Sequence, residues 1–324
     1  MPQFMGGKQF ALVRYGMRDF WRAVLRLRRP RRIVECMTGS GSVAACLAQL
    51  VQELGIECQI VANDGHPASV CLLRSTAAGW DPPDVLTETE YRRLQAIARE
   101  TAATCPACSW RPSVPGETPP ALPHTCAAAS DPLVGFAGFL VSFGGKYFAG
   151  YGGRTRTRDA GRAKPWSQVE CSANALRKIR PHLARVTWHT GDYRTLPARV
   201  GVYGGDLWYA DKPYTGTEQY AGVPGNGCAC CAGKGGKAPV FCDRVFWAWA
   251  HGLAVHRGND PYAETGVDML VSEFTAPPPW LPVWSVTRRQ EMRDGQNGSG
   301  QTGVTDTVFA LPALAEVLAA GGVK

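Results

Sequence analysis

Gly205-Asp206-Leu207-Trp208-Tyr209-Ala210-Asp211-Lys212-Pro213-Tyr214 is the stretch whose reading decides the fold. Its middle, residues 207–210, is apolar, aromatic and uncharged, as a strand covered on both faces requires. The run stops at a carboxylate, Asp211, followed by the stiff backbone of Pro213 and the ring of Tyr214. A buried strand that ends so abruptly predicts an α/β sheet with a ligand site beyond the carboxyl ends of its strands.

Upstream, the chain supplies further strand ends of the same kind. Arg32-Ile33-Val34-Glu35 leads through Cys36-Met37-Thr38-Gly39-Ser40-Gly41 into a helical pattern at 43–54. Glycines there let the backbone approach a ligand that side chains would block. A second apolar run, Ile60-Val61-Ala62-Asn63-Asp64, begins about twenty residues later and ends in an acid placed to accept hydrogen bonds from ribose hydroxyls. Strand, glycine turn, helix, strand and acid make a half-Rossmann unit. Taken singly, the glycine turn also fits a tight connection, and Asp64 a loop cap. A helical pattern at 167–182, a strand at 185–190 and Gly191-Asp192-Tyr193 continue the layout.

Between these halves the character of the chain changes. From about Leu73, Trp80-Asp81-Pro82-Pro83 breaks the pattern, a charged helix covers 88–102, and prolines crowd 112–132. This predicts a mainly helical insertion, residues 73–166, between a first half at 1–72 and a second at 167–324. Within it, Cys105-Pro106-Ala107-Cys108 and His124-Thr125-Cys126 offer three thiols and an imidazole, enough to fill a tetrahedral structural zinc site; free cysteines in a loop are the alternative. An aromatic-glycine stretch, 143–153, contains Lys146 and precedes Arg154, Arg156, Arg158 and Arg162. In extended backbone the first three arginines share one side, which suits a phosphate backbone; a solvated basic loop is the plainer reading.

Composition sets the outer limits. The chain has 324 residues, 35 Lys plus Arg against 27 Asp plus Glu, and a formal charge of +8. That length suits one large domain or one carrying an insertion, and the charge favours an anionic partner such as nucleic acid. No apolar run has the length of a signal peptide core or a bilayer span, so a soluble, cytoplasmic protein is expected. The 12 cysteines are unevenly scattered and read as reduced thiols or metal ligands, not as a disulfide framework.

The Asp-x-Pro-Tyr element, here Asp211-Lys212-Pro213-Tyr214, resembles the Asp-Pro-Pro-Tyr signature of amino-group DNA methyltransferases. The order Gly6-Gly7-Lys8, glycine loop, Asp64, basic insertion, Asp192, Asp-Lys-Pro-Tyr and Ser272-Glu273-Phe274 is similar to that of the Dam-like adenine-N6 enzymes. The resemblance implies a Rossmann-like S-adenosylmethionine-dependent methyltransferase sheet with an inserted target-recognition domain. It implies a cofactor site of Gly7, Lys8, Met37, Thr38, Gly39, Gly41, Asp64, Asp192 and Asp211, with Met37 standing where the family has phenylalanine. Asp211 and the Lys212 carbonyl would accept the two hydrogens of a flipped adenine amine, and Tyr214 would stack on the base. Double-stranded DNA is the implied partner of a monomer acting in a bacterial or phage-infected cell. Lys212 replaces the family's first proline. That leaves two alternatives open: a relative that moves a carboxylated group with help from Lys212, or a DNA-binding homologue without catalysis.

Overall fold

The computed structural model describes residues 8–109, 124–153, 167–213, 241–255, 267–289 and 303–323. In chain order they form α1 (Gln9–Arg14), α2 (Met17–Arg28), β1 (Arg32–Glu35), α3 (Ser42–Leu54), β2 (Gln59–Asp64), α4 (Pro67–Ala77), α5 (Glu88–Thr104), α6 (Pro106–Ser109), α7 (Ala127–Ser130) and α8 (Pro132–Gly135). There follow α9 (Gln168–Leu183), β3 (Val186–Thr190), α10 (Leu196–Val200), β4 (Asp206–Asp211), α11 (Asp243–Val255), β5 (Asp268–Glu273), β6 (Leu281–Arg289), β7 (Gly303–Ala310) and α12 (Pro312–Ala320).

All seven strands join one sheet in the order β3-β2-β1-β4-β5-β7-β6. The first five are parallel, and β7 runs antiparallel to both β5 and β6. The architecture is a Rossmann-like α/β fold with an antiparallel hairpin at one edge. Alternate residues of the central strands face opposite layers, as strand geometry demands. Ile33, Leu207, Tyr209 and Leu270 pack with α2, α3 and α12 on one side. Val34, Trp208, Ala210 and Val271 pack with Phe246 and Ala250 of α11 on the other. Each fully buried Val, Leu, Ile or Phe among them stabilises the fold by about 1.5–3 kcal/mol.

The segment expected as an insertion begins inside α4, since position 73 lies within Pro67–Ala77. Helices α5, α7 and α8 and the π-helical turn Phe136–Leu140 bury Tyr91, Leu94, Phe136 and Phe139 together with Leu72 of α4 and Leu176 of α9. Capping fixes where the longer helices start. The Thr87 hydroxyl accepts from the Glu90 N–H at 3.2 Å, and Ser167 accepts from Glu170 at 3.3 Å, each with an acid three residues into the helix.

The structure differs from expectation at the end of the chain. Gly303–Ala310, a stretch to which the sequence pattern assigned no element, is a strand inserted between β5 and β6. No helix among the described residues is long and apolar enough to cross a membrane.

Candidate functional site

Strand β1 hydrogen-bonds to β2 on one side and β4 on the other, and the chain leaves these neighbours in opposite directions. Their carboxyl ends therefore open a crevice at the switch point of the sheet. The turn after β1 is held by its backbone: Cys36 N donates to Tyr209 O at 2.8 Å, Thr38 N to Asn63 O at 2.9 Å, and Gly41 N to Thr38 O at 2.9 Å. Gly39 and Gly41 have φ of +50° and +70°, the left-handed region that favours glycine. A Cβ at Gly41 would press Leu73 at 2.9 Å, whereas one at Gly39 would meet nothing within 4 Å. Backbone thus lines open space above Gly39. Thr38 donates its hydroxyl hydrogen to Glu35 at 3.0 Å, and Met37 packs at the margin of the second apolar layer.

Asp64, at the end of β2, accepts from Gly39 N through one oxygen and from His66 N through the other, both at 2.7 Å. The acid predicted to meet a ribose therefore also fixes the glycine turn. Burial pushes its pKa up, and the two N–H donors oppose that rise. Asn63 donates to the carbonyls of Cys36 and Gly191, each at 2.9 Å, which stitches the ends of β1, β2 and β3. Asp192, just past β3, accepts from the Arg194 backbone and guanidinium at 2.8–3.0 Å. Arg199 closes the same corner by donating to Asn63 Oδ1 and Thr190 O, both at 3.0 Å.

Asp211 ends β4 on the other side of the crevice. Its Oδ1 lies 2.8 Å from Lys8 Nζ, and the Lys8 side chain is 5 % exposed. Burial opposes the charge on Lys8, but Asp211, with Tyr209 and Asp306, more than compensates and its pKa is raised. Glu35 is buried within reach of the charges of Asp211 and Asp64. Desolvation first, and then those two carboxylates, raise its pKa well above the ordinary value.

Lys212 turns away from this crevice. Its Nζ donates to Asp243 Oδ1 at 2.6 Å and to Glu273, and the side chain is fully withdrawn from solvent among Phe241, Phe246 and Trp247. Burial lowers its pKa, against the pull of Asp243. A lysine where the resemblance expects proline thus anchors the loop to α11 and β5, leaving its backbone carbonyl beside Asp211. Pro213 follows it; Gly7 and Tyr214 lie outside the described residues.

The predicted metal ligands converge. Cys105 at the end of α5, Cys108 in α6, and His124 and Cys126 before α7 offer donor atoms that all lie within 4.8 Å of one another. Cys108 Sγ is 3.7 Å from Cys126 Sγ and 3.6 Å from His124 Nδ1. A tetrahedral ion with 2.3 Å bonds to sulfur separates its sulfurs by about 3.8 Å, so Cys108 and Cys126 already stand at that spacing. Lys146 is half-buried, and Arg154, Arg156, Arg158 and Arg162 lie outside the described residues.

Sequence reasoning placed the acids but missed Glu35, His66, Arg199 and the clamp of Asp243 and Glu273 on Lys212. The Asn63-Asp64 pair carried a signal for the stitching of the strand ends. Nothing local foretold the partners of Lys212, which come from 31 and 61 residues downstream. Compared with protein-family models and with curated proteins, the chain matches none.

Proposed function

We propose that this protein is an S-adenosylmethionine-dependent DNA methyltransferase acting on adenine N6. One observation carries the reading: Asp211, the acid of the Asp-Lys-Pro-Tyr element, ends β4 at the switch point beside the Gly39–Gly41 turn. The residues fit the cofactor. Open space above Gly39 suits a ligand held by backbone, and Asp64 and Asp211 end the two strands on either side of that turn.

S-adenosylmethionine, when bound, supplies an electrophilic methyl group on a positively charged sulfur. The chain's own work is positioning. Asp211 accepts one hydrogen of the target amine and the Lys212 carbonyl the other, which turns the nitrogen lone pair toward the methyl carbon. Lys8 holds Asp211 in place, and the Lys212 clamp holds the carbonyl. The acceleration comes from orientation and fixed charge, and no cysteine acts as a nucleophile. The side chain of Lys212 already has two carboxylate partners, so nothing favours its recruitment to a carboxylated group. We further propose that Cys105, Cys108, His124 and Cys126 bind zinc. Three thiolates and an imidazole are the donors zinc prefers, and four protein ligands leave no open position, so the ion is structural. The predicted double-stranded DNA partner rests on the basic balance of the chain and on this chemistry.

Radiolabelled methyl transfer to double-stranded DNA, with Asp211→Ala as control, tests the proposal. Label in DNA that the control abolishes supports it. Cofactor binding without transfer on any DNA sequence points instead to a homologue that binds but does not catalyse.

A further inference from the structure

The Cys105-Cys108-His124-Cys126 cluster and the Asp64 turn share a wall. His66 is the residue they have in common. Its backbone N–H donates to Asp64 Oδ1 at 2.7 Å, and its Nδ1 accepts from Ala68 N at 3.3 Å to cap α4. One residue thus fixes both the Asp64 carboxylate and the start of the helix. The His66 ring packs edge-on against Tyr147 with centroids 4.3 Å apart, and against Phe139 at 4.9 Å. Tyr147 and Phe139 touch each other at 4.9 Å. Gly138 makes this possible, since a Cβ there would collide with the Tyr147 ring.

Tyr147 packs against the apolar cluster that holds Cys105 and Cys126 and that Cys108 also borders. Burial raises its hydroxyl pKa, and Cys126 and Cys108 raise it further by their proximity. His66 in turn lies within electrostatic reach of His124. A second route runs through the backbone. Helix α7 starts immediately after Cys126 and packs on α4, and Ser69 of α4 donates its hydroxyl hydrogen to Gly39 O. The ligands come in pairs, and Cys108 and His124 are 16 positions apart, so an ion bound among them closes a chain loop and removes freedom from both flanks.

We infer that metal at the cluster and cofactor at the Gly39–Asp64 turn bind with positive linkage, each ordering the His66–Tyr147 wall that the other needs. This rests on the cofactor reading above and adds a regulatory role for an ion that fills no catalytic position. Two ligands that order the same element favour each other with no direct contact. The effect is reciprocal: each must raise the affinity of the other by the same factor.

The test uses the full chain with zinc and S-adenosylhomocysteine as probes. Zinc affinity is measured by competition with a chromogenic chelator, with and without saturating S-adenosylhomocysteine. Affinity for S-adenosylhomocysteine is measured by calorimetry with and without zinc. Equal factors of about fivefold or more in both directions support the linkage. Equal affinities in the presence and absence of the other ligand overturn it. Failure of zinc-loaded protein to bind S-adenosylhomocysteine overturns the linkage and the cofactor reading together, whereas binding indifferent to zinc overturns the linkage alone. Should the zinc-free chain unfold, zinc-loaded Tyr147→Ala decides. With zinc content and circular dichroism unchanged, it should bind S-adenosylhomocysteine at least about fivefold more weakly than zinc-loaded wild type, while Tyr147→Phe, which keeps the ring, binds normally. Equal binding by Tyr147→Ala overturns the inference.

Discussion

Lys8 Nζ lies 2.8 Å from Asp211 Oδ1, joining the start of the described chain to the end of its central strand across about two hundred residues of sequence. The lysine supplies the counter-charge of the acid and fixes its direction. Lys8→Met leaves Asp211 without that partner, and a misplacement of about 1 Å lowers turnover on the order of 10²-fold. On the proposed activity, single-turnover methyl transfer is expected to fall by that amount, and Lys8→Arg to recover part of it because the charge remains.

The ammonium of Lys212, itself withdrawn from solvent, sits between buried Glu273 and partly exposed Asp243. Removing one member of a buried charge cluster strands the others and costs roughly 3–5 kcal/mol. Lys212→Met, and Lys212→Pro which would give the Asp-Pro-Pro-Tyr that this element resembles, should both destabilise by about that amount in urea unfolding. Adding Asp243→Asn and Glu273→Gln to Lys212→Met removes the stranded charges and should return most of the loss. A Lys212→Pro variant as stable as wild type would show that the clamp contributes nothing.

Glu35 gives a pH signature. Its pKa in the folded chain is raised above the ordinary 4.5, first by burial and then by Asp211 and Asp64. A raised acid binds its proton more tightly when folded. Its stabilising contribution is complete below pH 4.5 and is lost as pH rises from there through the folded value. Glu35→Gln does not titrate. The variant should therefore gain stability relative to wild type as pH increases from 4.5 to 8, measured by urea midpoints at constant slope. A difference independent of pH would show that Glu35 does not change its protonation on folding.

Zinc content is expected at one ion per chain. Cys105→Ser or Cys126→Ser should lose the ion and lower the melting temperature by about 10 °C or more. Elemental analysis and thermal unfolding in parallel check both halves of the prediction, and full zinc retention in both variants would dismiss the site.

Legibility in the sequence followed locality. The strand ends at Asp64 and Asp211 were legible because each closes an apolar run, whereas Asp192 was singled out by the resemblance alone. The convergence of Cys105, Cys108, His124 and Cys126 was readable as two short pairs. The Lys212 clamp was not, because α11 and β5 meet only in the folded sheet. Strand β7 was hidden for another reason. Residues 306–310 are buried on both faces, and two of them, Asp306 and Thr307, are polar, so neither an apolar run nor an alternation signalled the strand.

The placement of β7 governs how the molecule can be made. Residues 303–310 lie between two strands that precede them in the chain, so β5 and β6 wait with open edges while the intervening residues leave the ribosome. Unpaired edges of this kind invite association between nascent chains. A chain interrupted before residue 303 would carry nearly every residue of the proposed site and still aggregate, because the zipper that seals its sheet arrives last.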